Sequence, residues 1–229
     1  MSNFIESFHK NFIEGDRWQY LWRGLLVTLE VTFFAVLIGI VLGFLIAIVR
    51  STYEKTYKFK ILNVLCNIYI TVIRGTPVMV QLLIIYFVVF QSVNISKVLV
   101  AIIAFGLNSA AYVAEIVRSG IMAVDNGQFE AGRSLGFNYT QTMKIIILPQ
   151  AVKNILPALG NEFIVLLKET SVAGTIALTD LTEGGKIIQS LTYDPFMPLI
   201  TVAIVYLILV IGFTKVVNYV ERRLRNSDH

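Results

Sequence analysis

Residues 128–150 read QFEAGRSLGFNYTQTMKIIILPQ. The stretch is polar, carries Gly132 and Gly136, and ends on a Leu-Pro. Long apolar runs stand on both sides of it. If those runs cross a membrane, this segment is a connection that the chain keeps on one face of the bilayer, and its polarity needs a reason. Hydrophobic residues make up 56% of the chain, above the roughly 45–50% usual for soluble domains. They are gathered into runs of about 20, enough to cross a hydrocarbon core of about 30 Å. A membrane β-barrel would instead show short alternating segments. The expected fold class is therefore an all-α polytopic membrane protein, one transmembrane domain over residues 1–229.

Spans are expected at about 24–49, 72–90, 98–124, 155–178 and 198–220, with a polar loop at about 125–150. Basic residues set the orientation. Arg50, Lys55, Lys58 and Lys60 follow the first span, Arg133, Lys144 and Lys153 follow the third, and Arg222, Arg223 and Arg225 follow the fifth. The other connections hold only Lys97, or Lys186 against Asp180, Glu183 and Asp194. Since basic residues collect on the cytoplasmic side, the N-terminus is expected outside and the C-terminus inside. Trp18, Tyr20 and Trp22 read as an aromatic belt ahead of the first span. The N-terminal residues lack the basic-then-apolar order of a cleavable signal.

Several chemistries find no support. One cysteine, Cys66, excludes an internal disulfide or a cysteine metal cluster. The two histidines, His9 and His229, lie near the ends. Gly184-Gly185-Lys186 is not a phosphate loop, because Ile187 follows and the upstream glycine is missing. No nucleophile–base pair or zinc-protease motif is present, so no enzyme is expected, and nothing points to nucleic acid.

Within residues 128–150, Asp125 or Asn126 can cap a helix starting near Gly127. Glu130 falls in its first turn and is spaced to pair with Arg133. Gly136 supplies a left-handed stop. Asn138 or Thr140 can cap a second helix, which Pro149 ends or bends. Phe129, Leu135 and Phe137 add an apolar contribution. An ordinary connection between helices needs only about 2–8 residues, so a capped, amphipathic segment of this length points to a partner.

Glu130-Ala131, Gly136, then Ile146, Leu148 and Pro149 match a longer pattern: Glu-Ala-Ala, three residues, Gly, nine residues, Ile-x-Leu-Pro. This resembles the EAA loop of ABC importer permeases. Gly132 departs from the pattern's second alanine and should loosen the helix by about 1 kcal/mol. Arg74-Gly75-Thr76-Pro77, Asn108 through Glu115, and Pro149 through Phe163 are similar to the polar amino acid permeases, the histidine, glutamine and arginine group. The resemblance covers nearly the whole chain. It implies a type I importer bundle of about five transmembrane helices in a bacterial cytoplasmic membrane. It further implies ATP-binding subunits that carry ATP and Mg, a second permease copy or paralogue, and an extracytoplasmic amino acid-binding protein. No cofactor is expected on this chain. Coupling to the ATPase would fall to Glu130, Ala131, Gly132, Gly136, Leu148 and Pro149.

Polar residues within the spans suggest a path for an amino acid. Asn108, Tyr112, Glu115 and Ser119 share one helical face, and small residues such as Gly106, Ala110 and Ala114 lie opposite. In the fourth span Asn154, Asn161 and Lys168 align, with Glu162 and Glu169 on the flank. Ionisable groups at membrane depth usually face a bundle interior. Asn108, Tyr112, Glu115, Asn161, Glu162 and Lys168 are the candidate substrate path; bonding between spans is the alternative for each, and for Glu115 and Lys168 an interfacial position is as well supported. Arg74 reads as a structural pairing group and Pro77 as a kink or start of the second span. Gly39 and Gly43 form a small-residue packing pair. Residues 179–195 should form an acidic outer loop that turns at Gly184-Gly185. An ion-coupled secondary transporter using Glu162 and Glu115 is the alternative function; it leaves the EAA spacing unexplained and predicts internal repeats that the sequence lacks.

Overall fold

A computed structural model describes residues 2–225, so His229 lies outside the described residues. Among the described residues every regular element is helical. In chain order they are α1 (Ser2–Phe8), running into a π turn His9–Ile13; α2 (Trp18–Thr56); α3 (Lys60–Gly75); α4 (Val78–Ile84), continued by a π turn Ile85–Val89; α5 (Lys97–Met122); α6 (Asn126–Ser134); α7 (Tyr139–Thr142), with a π turn Met143–Ile147; α8 (Leu148–Glu169), finishing in a 3-10 turn Thr170–Ile176; α9 (Leu181–Thr192); and α10 (Phe196–Arg225).

Among the described residues three helices are long and apolar enough to cross a membrane: Trp18–Glu54, Lys97–Met122 and Phe196–Leu224. A fourth candidate is a broken one, Lys60–Gly75 plus Val78–Val89, bent by 110°. The expected fourth span is displaced. Its helix begins at Leu148 and gives out at Glu169, so residues 170–178 are not part of a straight crossing. With 22 residues it is about 33 Å long, but Lys153, Glu162, Lys168 and Glu169 make it less apolar than the others.

The pairing of α2 with α5 is the most extensive among the described helices. A Cβ on Gly39 would stand 2.8 Å from the Ser109 Cβ, and one on Gly43 2.6 Å from the Val113 Cβ. Gly106 returns the approach against Ile38. Small residues let two backbones come this near in an apolar medium, where packing rather than hydrophobic burial holds helices together. Around this contact lies the main core: Val31 and Ala35 of α2, Leu82 of α4, Phe105 of α5, Leu166 of α8 and Ile176 beyond it.

α9 is seated across the start of α2. Asp180 caps it through the Thr182 and Glu183 amides, and the Thr28 hydroxyl accepts from the Leu181 amide at 3.1 Å. The expected turn at Gly184-Gly185 is not there. Both glycines are buried inside the helix, Gly184 against the Tyr20 backbone and Gly185 against Val202. They are small because α2 and α10 press on them. At the same end Asn11, fully buried, donates to Asp194 at 2.8 Å and accepts from Thr192 at 2.8 Å, and Ser7 also donates to Asp194. The Ser7 and Asn11 hydrogen bonds hold the Asp194 carboxyl below the ordinary aspartate value, so these contacts are intact at neutral pH and weaken only as pH falls below that range. At the opposite end, α6 and α7 lie beside the close of α2: Ser51 and Glu54 share a cleft with Phe129 and Tyr139. Burial first, and the Glu54 charge second, raise the Tyr139 hydroxyl's pKa. Glu221, near the end of α10, is also found there, in a cavity with Asp125 and Lys153.

The break between α3 and α4 has a clear cause. Pro77 has no N–H, so the Ile73 carbonyl four residues back loses its helical donor. Gln81 supplies a replacement. Its amide nitrogen donates to the Ile73 carbonyl at 2.7 Å and to Thr76, while its oxygen accepts from Asn108 at 2.9 Å. The Thr76 hydroxyl satisfies the Val72 carbonyl at 2.8 Å. Replacing Gln81 with leucine would leave the Ile73 carbonyl and the Asn108 amide short of partners, at a cost of about 1–3 kcal/mol for each buried polar group. The thermal midpoint of the purified protein in lipid nanodiscs should fall for Gln81→Leu and fall less for Gln81→Glu, which keeps the acceptor for Asn108. An unchanged midpoint for Gln81→Leu would show that the bend does not depend on this side chain.

Candidate functional site

The polar segment folds as its cap residues dictate. Asp125 takes the N-cap of α6, accepting from the Gly127 amide at 2.6 Å. The helix stops where Gly136 adopts φ 80°, a backbone open to glycine and strained for other residues. Asn138 and Gln141 then form a reciprocal capping box at the start of α7. Pro149 does not end this second helix. It sits in the first turn of α8, where a missing N–H costs least. The π turn Met143–Ile147 ahead of it widens the helix before the proline ring, so α7 and α8 form one continuous helical path.

Gly132 is the departure from the expected Ala-Ala, and the structure accounts for it. It is buried, and a Cβ there would stand 2.7 Å from Thr142 Cγ2 and 2.8 Å from its Oγ1. The glycine lets α6 close onto α7. Phe129 packs with Val124, Ile147 and their neighbours on the inner side. Outward, Glu130, Ala131 and Arg133 are exposed, and Leu135 is 71% exposed. Among the described residues Glu130 and Arg133 do not form the expected ion pair; the Glu130 carbonyl accepts from Ser134. Leu148 is half-buried, while Gly136 and Pro149 are exposed.

The candidate path residues do not converge within one chain. Asn108 and Tyr112 turn toward the α3–α4 bend: Asn108 to Gln81, and Tyr112 beneath the Arg74 guanidinium at 5.3 Å. Glu115 is held by three arginines, Arg50, Arg74 at 3.8 Å and Arg118 at 3.0 Å. These tie α2, α3 and α5 together. Glu162, buried, faces the other way across α5 and accepts from Ser109 through Oε1 at 2.9 Å. Asn154, Asn161 and Lys168 are exposed on α8. Asn154 and Asn161 line a cavity of about 650 Å³ with Asp125, Gln150 and Lys153. Arg50, Gln81 and Ser109 are the polar partners that sequence reasoning missed. Gln81 had a signal, a lone amide four residues after a proline in an apolar run.

Residues 25–226 match the family model described as the inner membrane component of binding-protein-dependent transport systems. The chain belongs to this family. It is an amino acid ABC transporter permease, a transport subunit and not itself an enzyme. The permease is 39% identical over 207 residues to a putative glutamine transport system permease protein of Rickettsia typhi, covering 90% of this chain and 93% of that one. It is 38% identical over 211 residues to an arginine transport system permease protein of Bacillus subtilis, with 91% and 94% covered. Among solved structures, the permease is similar to a chain in the crystal structure of an amino acid ABC transporter with histidines, with a TM-score of 0.85 and 45% identity over 93% of this chain and 98% of that one. The fold recurs at 21% identity in the inward-facing MetNI methionine ABC transporter, with a TM-score of 0.77.

Gly132→Ala should favour an isolated helix by about 1 kcal/mol, yet in the permease it meets Thr142. The single substitution is expected to lower the thermal midpoint, and Gly132→Ala with Thr142→Ala to recover it. A single variant as stable as the parent would remove Thr142 as the reason for the glycine.

Proposed function

We propose that the permease is the membrane-spanning half of an ATP-driven importer that moves a polar amino acid into the cell by alternating access. In this reading α2, the bent pair α3–α4, α5, α8 and α10 are the five crossings. The N-terminus is extracytoplasmic and α6–α7 is cytoplasmic. The observation that carries the proposal is the outer face of α6. Glu130, Ala131, Arg133 and Leu135 are exposed on a capped helix whose inner face is built into the core beneath α5 and α8. An exposed leucine on a braced polar helix suits a groove in a partner protein. The partner is an ATP-binding subunit, which holds ATP and Mg; this chain contributes coupling through residues 130–149 and performs no covalent step.

The polar face of α8 suits a second permease copy or paralogue across the path. Asn154, Asn161 and Lys168 are exposed along about 21 Å of helix at 1.5 Å per residue, and polar groups at membrane depth need a partner or a water-filled cavity. An extracytoplasmic binding protein delivers the substrate at the end where α9 and the α9–α10 connection lie. An amino acid must exchange the water around its ammonium and carboxylate for fixed partners. Glu162 is the proposed ammonium partner, since Ser109 engages only its Oε1 among the described residues. Asn161 and Lys168 serve the carboxylate end. Asn108, Tyr112 and Glu115 are better assigned to holding the bend beside the path than to touching the substrate, given their bonds to Gln81 and the arginines.

Glu130→Lys and Leu135→Glu are expected to leave the permease inserted while reducing ATPase capture in a pull-down by tenfold or more. Normal capture with normal uptake would remove α6 as the coupling element. For the substrate, Glu162→Gln keeps an acceptor for Ser109 and deletes the charge. Losing a charge-assisted contact costs about 1.5–3 kcal/mol, roughly ten- to a hundredfold in affinity. Uptake against amino acid concentration, in proteoliposomes of matched permease content, should show that shift with assembly unchanged. An unaltered concentration dependence would make Glu162 a structural group only.

A further inference from the structure

The first residues of the chain are fixed to the body by a buried polar cluster. After α1 and its π turn, Gly15 and Asp16 both take positive φ, 61° and 52°, and fold the segment back against the start of α2 and α9. Asn11 is fully buried and bridges Asp194 and Thr192, with Ser7 also on Asp194. Phe12 enters a small core with Ile188, Met197 and Leu21. The segment is therefore held, and its remaining apolar edge is not covered: Phe4 is 62%, Ile5 66% and Phe8 46% exposed. At about 100° per residue these three fall within one sector next to Phe12, Glu6 and Lys10 fall opposite, and His9 lies on the flank beside Ile5.

We propose that residues 2–16 form an interfacial strap: the helix lies flat on the phospholipid surface at the end where α2 begins, with Phe4, Ile5 and Phe8 in the boundary between headgroups and acyl chains, and the Asn11–Asp194–Thr192 clasp ties it to the start of α10. Lipid is the occupant because this edge continues into surface that the bilayer already covers. Trp18 and Trp22, exposed at the start of α2, make an aromatic belt of the kind found at headgroup depth. Amphipathic helices of this sort gain their hold from buried apolar area, with an added electrostatic part only where the polar face is basic. Here Glu6, Glu14 and Asp16 offset Lys10 and Arg17, so the strap does not require anionic lipid. Its attachment to Asp194 gives the lipid surface a direct hold on the α9–α10 connection.

The test uses the permease reconstituted in phosphatidylcholine vesicles, in a Cys66→Ser background, with single spin-labelled cysteines introduced as Phe4→Cys, Phe8→Cys, Glu6→Cys or Lys10→Cys. Collision of the label with oxygen reports lipid, and collision with a water-soluble nickel chelate reports solvent. Labels at 4 and 8 should favour oxygen and labels at 6 and 10 nickel, with no change when anionic phospholipid is added. Free nickel access at 4 and 8 would place the strap in water, and access to neither reagent would mean that a protein covers it; either result overturns the proposal, as does a requirement for anionic lipid. The clasp is tested separately with Asn11→Ala and the milder Ser7→Ala. Both should raise the mobility of the label at 8, Asn11→Ala more, and unchanged mobility in both would remove the clasp.

Discussion

The close approach of α2 and α5 sets the directions in which the polar groups of α5 can turn. With Gly39 and Gly43 against the Ser109 and Val113 side chains, α2 leaves room at the contact only for small or branched side chains of α5. The longer polar residues of α5, Asn108, Tyr112 and Glu115, are turned toward the α3–α4 bend, and Ser109, within the contact, reaches Glu162 of α8. Arg50, two turns after Gly43 on α2, is brought to Glu115 by the same alignment. A bilayer offers little hydrophobic drive between helices, so this contact and the hydrogen bonds at its margins do the work that an apolar core does in water.

Much of this was legible in sequence because it rests on local chemistry. The helical class followed from apolar runs, the N-caps at Asp125 and Asn138 from side chains that reach their own backbone, and the stop at Gly136 from a dihedral that glycine takes freely. The structure differs where one residue type has two uses. A proline in the first turn of a helix reads the same as a proline that ends or bends one, and Pro149 stands in the first turn of α8. Paired glycines in a turn read the same as paired glycines under a crossing helix, and Gly184-Gly185 are the latter. Gln81, Arg50 and Asn11 act on residues far along the chain, and no short-range pattern reports such partners.

The candidate path shows a further limit of periodicity. Residues spaced for one helical face do share it, as Asn108, Tyr112 and Glu115 do, but spacing does not say which neighbour that face meets. The two stripes together read as a candidate path for an amino acid. They face different directions, and the exposed stripe on α8 is left for something outside this chain.

The three arginines around Glu115 also bear on how the chain reaches its place. Arg50 and Arg74 leave the ribosome well before Glu115, and until α5 is made they are uncompensated cations beside newly inserted helices. Such charges are what hold a segment back on the cytoplasmic face during insertion. In the proposed orientation the same guanidiniums would serve twice, first as orientation signals for the nascent chain and then as the countercharge of a carboxylate that arrives later. A neutral residue at either position would disturb biogenesis as well as the finished fold, and the two effects would separate in time.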